Sequence, residues 1–129
     1  MVKGEEKHEQ QLVFIIMSTF LVQMRNYHYM TDSYEHHTIV DQFINEFTPL
    51  YDKFIEVSIS LYGPLKNVDY SLDIRRVTRK NIGNFIGLFS EFLTDIRNNY
   101  TDNSNLLSIC DEIETHLDIM RYKLSISRV

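Results

Sequence analysis

Hydrophobic side chains recur every three or four positions in four separate stretches of this 129-residue chain, and polar or turn-forming residues punctuate the gaps. The first stretch predicts a helix from about His8 to Tyr29. After the capping signal Thr31-Asp32-Ser33, a second is predicted from about Tyr34 to Tyr62, stopped by Gly63-Pro64. Pro49 falls inside it and is expected to bend it, but the pattern resumes in phase, so one helix is retained. A third helix is predicted over roughly Asp73 to Asn99. The fourth follows the turn-rich TDNSN at 101–105 and runs to near Ser125. No alternating run is long enough to make a strand. Helices of this length with short polar links predict an all-α fold, an antiparallel four-helix bundle, as one domain over 1–129 with a flexible start over 1–7.

The inward stripes can be named. The second helix offers Val40, Phe43, Phe47, Leu50, Phe54, Val57 and Leu61; the third offers Ile82, Phe85, Phe89, Phe92 and Ile96. The fourth offers Leu106, Cys110, Ile113, Leu117, Met120 and Leu124. Cys110 therefore reads as a small buried hydrophobe and not as a nucleophile. The first helix carries two apolar stripes: Val13, Ile16, Phe20 and Tyr27 on one side, Phe14, Met17 and Leu21 on the other. A small bundle has one core to face, so the second stripe is expected to meet another subunit.

Composition changes this picture in three ways. The chain has no alanine but fourteen Ile, nine Asn and eight Tyr, so its helices must rest on packing more than on intrinsic propensity. A single cysteine excludes an internal disulfide and a cysteine-rich zinc site, and fits a reducing, cytoplasmic compartment. The net charge of −5 argues against a general nucleic-acid binder. The apolar run from Leu12 to Met24 is interrupted by polar residues and falls short of the ~20 residues a membrane span needs. Charge is nevertheless sorted: acids dominate from Glu35 to Glu56, and bases (Lys66, Arg75, Arg76, Arg79, Lys80) dominate the link before the third helix. That link is expected to be a solvated basic turn, the alternative being contact with phosphate if its bases are exposed together. The acids Glu46, Asp111, Glu112, Glu114 and Asp118 are candidates for attracting cations.

Candidate chemistry lies on the second helix. At about 100° per residue, His37, Asp41, Asp52 and Glu56 fall near about 0°, 40°, 60° and 100°, whereas the core stripe centres near about 250°. An outward acidic face is ordinarily just solvated. Here it also holds Ile44, Ile55 and Ile59, with Tyr51 at its edge, a mixture better suited to a subunit interface than to water. His28, near the end of the first helix, lies in line with Phe14, Met17 and Leu21. If two copies pack these faces together, His28, His37 and Asp41 of one chain can meet Asp52 and Glu56 of the other. Two imidazoles and three carboxylates form a mixed N/O set suited to iron, manganese or zinc.

These residues also carry a resemblance. The segment HYMTDSYEHHTIVDQFINEFTPLYDKFIEVSISLYG, His28 to Gly63, resembles the signature of the Dps branch of the ferritin-like superfamily. In that branch a leading His precedes a helix bearing His, Asp four later, Asp eleven further on and Glu four beyond; His28, His37, Asp41, Asp52 and Glu56 reproduce the pattern. The stretch His28 to His37 is similar to the short Dps-like proteins of phages and large DNA viruses, and LLSICDEIETHLDIMRYKLSI to the last helix of that group. The resemblance implies a ferritin-like four-helix subunit that forms two-fold dimers and then a hollow, typically dodecameric, shell. It also implies a ferroxidase site shared across each dimer interface, where Fe(II) is oxidised by peroxide or oxygen before ferric iron is stored. The location would be host cytoplasm or virion if the source is viral.

Departures from the pattern are specific. Tyr29 stands where the branch usually has Trp, and the chain lacks the basic tail many Dps proteins use on DNA, so strong DNA binding is not expected. An alternative of another class is a metal-free helical structural or interaction protein, such as a virion component. His8, His36 and His116 are expected to play no metal role, with His36 a helix-start contact. Tyr27, Tyr29, Tyr34, Tyr51 and Tyr122 are expected to be packing or interface residues, with Tyr29 or Tyr51 also a candidate electron donor.

Overall fold

A computed structural model describes residues 3–99 and 102–127, with side chains from Gln10 onward. It contains four helices, α1 (Lys3–Met30), α2 (Tyr34–Tyr62), α3 (Ile82–Asn99) and α4 (Ser104–Ile126), and no strand among the described residues. The fold is the expected all-α four-helix bundle. No described helix is long and apolar enough to cross a membrane. α1 begins five residues before the predicted start; of the start expected to be flexible, residues 1 and 2 lie outside the described range.

Local chemistry explains the helix ends. Ser33 caps α2 by accepting a hydrogen bond from the His36 amide at 3.2 Å. At the other end Gly63 takes φ 92°, a conformation that strains any residue with a Cβ, and its N–H returns to the Ile59 carbonyl at 2.8 Å. Pro64 follows and cannot continue the ladder. α2 runs unbroken through Pro49, next to which the Thr48 hydroxyl donates to the Ile44 carbonyl at 2.8 Å. Asn103 caps α4 through the Leu106 amide at 2.9 Å.

The third helix differs from expectation: it starts at Ile82, not Asp73. Thr78 and Asn81 bond reciprocally, Thr78 N–H to Asn81 Oδ1 at 2.6 Å and Asn81 N–H to Thr78 Oγ1 at 3.3 Å, a capping box that sets the start. Upstream, Arg75/Arg79 and Arg76/Lys80 would be like-charge pairs one helical turn apart, which disfavours extending the helix backward.

Residues 63–81 are therefore a long crossover, not a short link. It travels along α1 from one end to the other, tied down by glutamines. Gln10 Nε2 donates to the Gly63 carbonyl (3.0 Å), Gln11 accepts from the Lys66 amide (3.1 Å) and Gln23 accepts from the Arg75 amide (2.9 Å). Phe14 meets Tyr70 edge-on at 5.4 Å, and Arg79 reaches Asp32 at 3.0 Å. The crossover returns the chain to its starting end, so α3 runs parallel to α2 while α1 and α4 oppose both. Antiparallel contacts mark the neighbours: Tyr27–His36 and Ser18–Tyr51 between α1 and α2, Lys123–Gln42 between α4 and α2, and Arg97–Asp111 between α3 and α4.

The centre of the core is aromatic. Phe20 stacks on Phe89 at 4.0 Å, and Phe43 and Phe47 close round them. The α4 stripe is as expected, with Leu124 only partly buried. On α3 the buried row is Ile82, Ile86, Phe89, Leu93 and Ile96, so Ile86 and Leu93 replace Phe85 and Phe92, which are half-buried. Leu61 of the expected α2 stripe is exposed, and Ile44, expected to face outward, is buried. The second stripe of α1 is also corrected. Met17 and Leu21 are buried within this chain and Phe14 packs on the crossover. Much of the apolar surface assigned to another subunit is thus covered internally.

Candidate functional site

The α1–α2 corner brings His28 and His37 together. Their rings stack with centroids 3.9 Å apart and planes 19° from parallel. Each ring uses its Nδ1 on the other residue's backbone: His28 Nδ1 to the His37 carbonyl at 3.0 Å, and His37 Nδ1 to the His28 carbonyl at 2.8 Å. A carbonyl only accepts, so Nδ1 must carry the proton in both rings. In the neutral form that leaves Nε2 of each as a free lone pair. A metal-ligating histidine is held in this way, its other nitrogen anchored to a backbone carbonyl.

Asp41 lies one helical turn beyond His37, and its Oδ1 stands 3.7 Å from His28 Nε2. With Nδ1–H committed to a carbonyl, a neutral His28 has no donor to offer Asp41. A lone pair facing a carboxylate is stabilised by whatever lies between them, a proton, a metal ion or a water that donates to both. His28 is sheltered, with 12% of its side chain exposed, whereas Asp41 is 51% exposed. The exposed rings of Tyr29 and Tyr34 flank the pair, 5.0 Å from His28 and 6.2 Å from His37.

The model of DUF5856, a family of unknown function, matches residues 28–124. The chain belongs to this family. No curated protein and no solved structure matches it. The DUF5856 region opens at His28 and includes all five candidate donors.

In this DUF5856 member the remaining two donors stand apart from the first three. Asp52 and Glu56 lie on the same outward face of α2, exposed, and make no hydrogen bond or ion pair with any described residue. Eleven residues of helix separate Asp41 from Asp52, about 16 Å along the axis, so one chain cannot join them. Among the described residues, no group of three or more His, Cys, Asp or Glu side chains is assembled that could hold a metal ion. What one chain offers is two imidazoles with a neighbouring carboxylate at one level, and two free carboxylates about three turns further along.

Other candidates resolve differently. His36 is buried and joins three elements: Tyr27 Oη lies 2.6 Å from its Nδ1 and Ser127 Oγ 2.9 Å from its Nε2. Ser127 Oγ donates to the Leu124 carbonyl (2.9 Å), so its free lone pair takes the Nε2–H while Tyr27 donates to Nδ1. Burial, reinforced by the Arg79 guanidinium, holds the His36 pKa below its ordinary value. It is thus a clamp between the α2 start and the α4 end, more than the helix-start contact expected. The His36-His37 doublet carried no signal of that role, because its partners are nine and ninety-one residues away.

Cys110 is buried, and desolvation pushes its thiol up to about 12. Tyr51 shares a 2.5 Å hydrogen bond with Ser18, and burial raises its phenol above the ordinary value. His116 lies 3.8 Å from Glu46 across α2 and α4. The acids of α4 are largely engaged: Asp111 and Glu114 pair with Arg97, and Asp118 with Arg121. Of the set expected to attract cations, Glu112 has no ion pair with a described residue and Glu46 faces only His116. The side chain of His8 lies outside the described residues.

Proposed function

We propose that this chain is a Dps-like subunit of the ferritin-like class that oxidises ferrous iron at sites shared between two copies and stores the ferric product in an oligomeric shell. The observation that carries the reading is the histidine pair: both Nδ1 atoms are spent on carbonyls, both Nε2 lone pairs are free, and a carboxylate faces one of them. Connectivity supports it too, since a four-helix bundle with one long crossover is the ferritin-like arrangement.

Geometry suggests how the halves join. A two-fold axis perpendicular to α2, at the level of residues 46 and 47, sets Asp52 of the partner subunit opposite Asp41 and Glu56 of the partner subunit opposite His37. The partly buried Ile55 and exposed Ile59 on that face supply apolar contact. Carboxylates stabilise the harder ferric product, the imidazoles fix geometry, and each ferrous ion releases one electron while peroxide accepts two.

A second reading, a metal-free helical interaction module, draws support from the incomplete donor group in a single chain. One titration separates the two. Apo-protein is mixed with Fe(II) and peroxide while ferric absorbance is followed, alongside the double variant Asp52→Ala/Glu56→Ala. Uptake lost in the variant supports the shared site; uptake unchanged in the variant sinks it; no uptake by the parent protein favours the module.

A further inference from the structure

At the end of the bundle where α1 stops and α4 finishes, a cavity of about 400 Å³ opens between the crossover, the start of α3 and the end of α4. Its charged walls are Arg79 and Lys80 from the crossover and Arg121 from α4; no carboxylate is among its lining residues. The floor is apolar, made by Ile82, Ile86 and Leu124, with the Ser125 hydroxyl at the rim. Arg79 spends one nitrogen on Asp32 at 3.0 Å, and Arg121 makes only a 3.7 Å contact with Asp118. Lys80 has no hydrogen bond or ion pair with any described residue.

Three cations from two distant segments thus converge on one recess of a chain whose net charge is −5. Their mutual repulsion is relieved by an anion in the recess. Two guanidinium forks and one ammonium match the several oxygens of a phosphate group, which accept from all of them at once. The volume exceeds what a bare phosphate fills, and the apolar floor suits an organic portion beside it. A duplex backbone, by contrast, tracks over exposed ridges of charge and has no use for a recessed apolar floor.

We propose that this cavity binds a small organic phosphate, its phosphate on Lys80, Arg121 and the free edge of Arg79, and its less polar part on Ile82, Ile86 and Leu124. The site is separate from the histidine pair and does not depend on the iron reading.

The test is calorimetric titration of the full chain with adenosine monophosphate, with inorganic phosphate and with a single-stranded oligonucleotide. Adenosine monophosphate is expected to bind more tightly than inorganic phosphate, with Lys80→Gln and Arg121→Gln each weakening it about tenfold and Lys53→Gln leaving it unchanged. Amide shifts of Gly83 and Ser125 on adding adenosine monophosphate to the unaltered protein give a reading that needs no variant. No heat and no shifts at millimolar ligand overturn the proposal. So does equal weakening by Lys53→Gln, or oligonucleotide binding that depends on Lys80 and Arg121 while adenosine monophosphate is ignored.

Discussion

Mixing two inactive variants should restore iron oxidation, and the amount restored follows from the geometry. Asp41, beside His28 and His37, sits about 16 Å along α2 from Asp52, and in the proposed two-fold arrangement each chain contributes one imidazole half and one carboxylate half to two different sites. The double variant His28→Ala/His37→Ala has only good carboxylate halves; Asp52→Ala/Glu56→Ala has only good imidazole halves. Each alone should oxidise Fe(II) at least ~10-fold more slowly than the parent protein, the rate equivalent of only ~1.4 kcal/mol. When equal amounts are unfolded together and refolded, about half the dimers are mixed, and each mixed dimer holds one intact site and one doubly damaged site. Recovery should therefore reach about a quarter of the parent rate, read as ferric absorbance after adding peroxide. Native mass spectrometry of isotope-labelled chains gives the mixed fraction independently. Mixed dimers that form without recovered activity would refute the two-fold arrangement. Full activity in either parent variant would show that the donors of one half suffice.

Four further outcomes follow from individual residues. Ile59→Asp, on the exposed outward face of α2, should shift the chain to monomer in gel filtration while its circular dichroism stays helical; an unchanged elution volume counts against that interface. Phe47→Ala removes a fully buried ring from the Phe20, Phe43 and Phe89 cluster and should cost ~3–5 kcal/mol in urea unfolding, a loss below ~1 kcal/mol meaning the cluster is not the core. Because burial lowers the His36 pKa, the unfolded chain takes up this proton first as pH falls. The contribution is whole above the ordinary value of 6.5 and is lost as pH drops from there through the lowered folded value. His36→Gln should flatten the stability slope over that window, as measured by urea midpoints. Cys110, with its thiol pushed up to about 12 and no exposure, should resist a thiol reagent at neutral pH until denaturant is added; fast labelling of the native protein would contradict its placement.

Much of this molecule is local chemistry and could be read residue by residue. Ser33, Gly63-Pro64 and Asn103 set helix ends through hydrogen bonds spanning three or four residues; the bounds of α2 lie where the sequence predicts, and α4 starts at Ser104, inside the turn-rich segment it was expected to follow. The shared outward face of His37, Asp41, Asp52 and Glu56 follows from helical period alone. The start of α3 lies nine residues later than the sequence predicts. Period measures spacing along the chain and is blind to the repulsion of stacked arginines and to the capping box at Thr78.

Helical period specifies four helices, an approximate apolar face for three of them and the donors each presents. Packing between the elements sets which faces are spent inside the chain. Phe14, Met17 and Leu21 looked free, yet the fold buries Met17 and Leu21 and sets Tyr70 of the crossover against Phe14, and His36 looked idle until Ser127 arrived from the far end of the chain. The tautomers of His28 and His37 belong to the same class. Each depends on a carbonyl delivered by the other helix, and hydrogen bonds between elements cannot be read from a period within one. A helix's own spacing dictates what it can offer; packing against its neighbours determines what it has left.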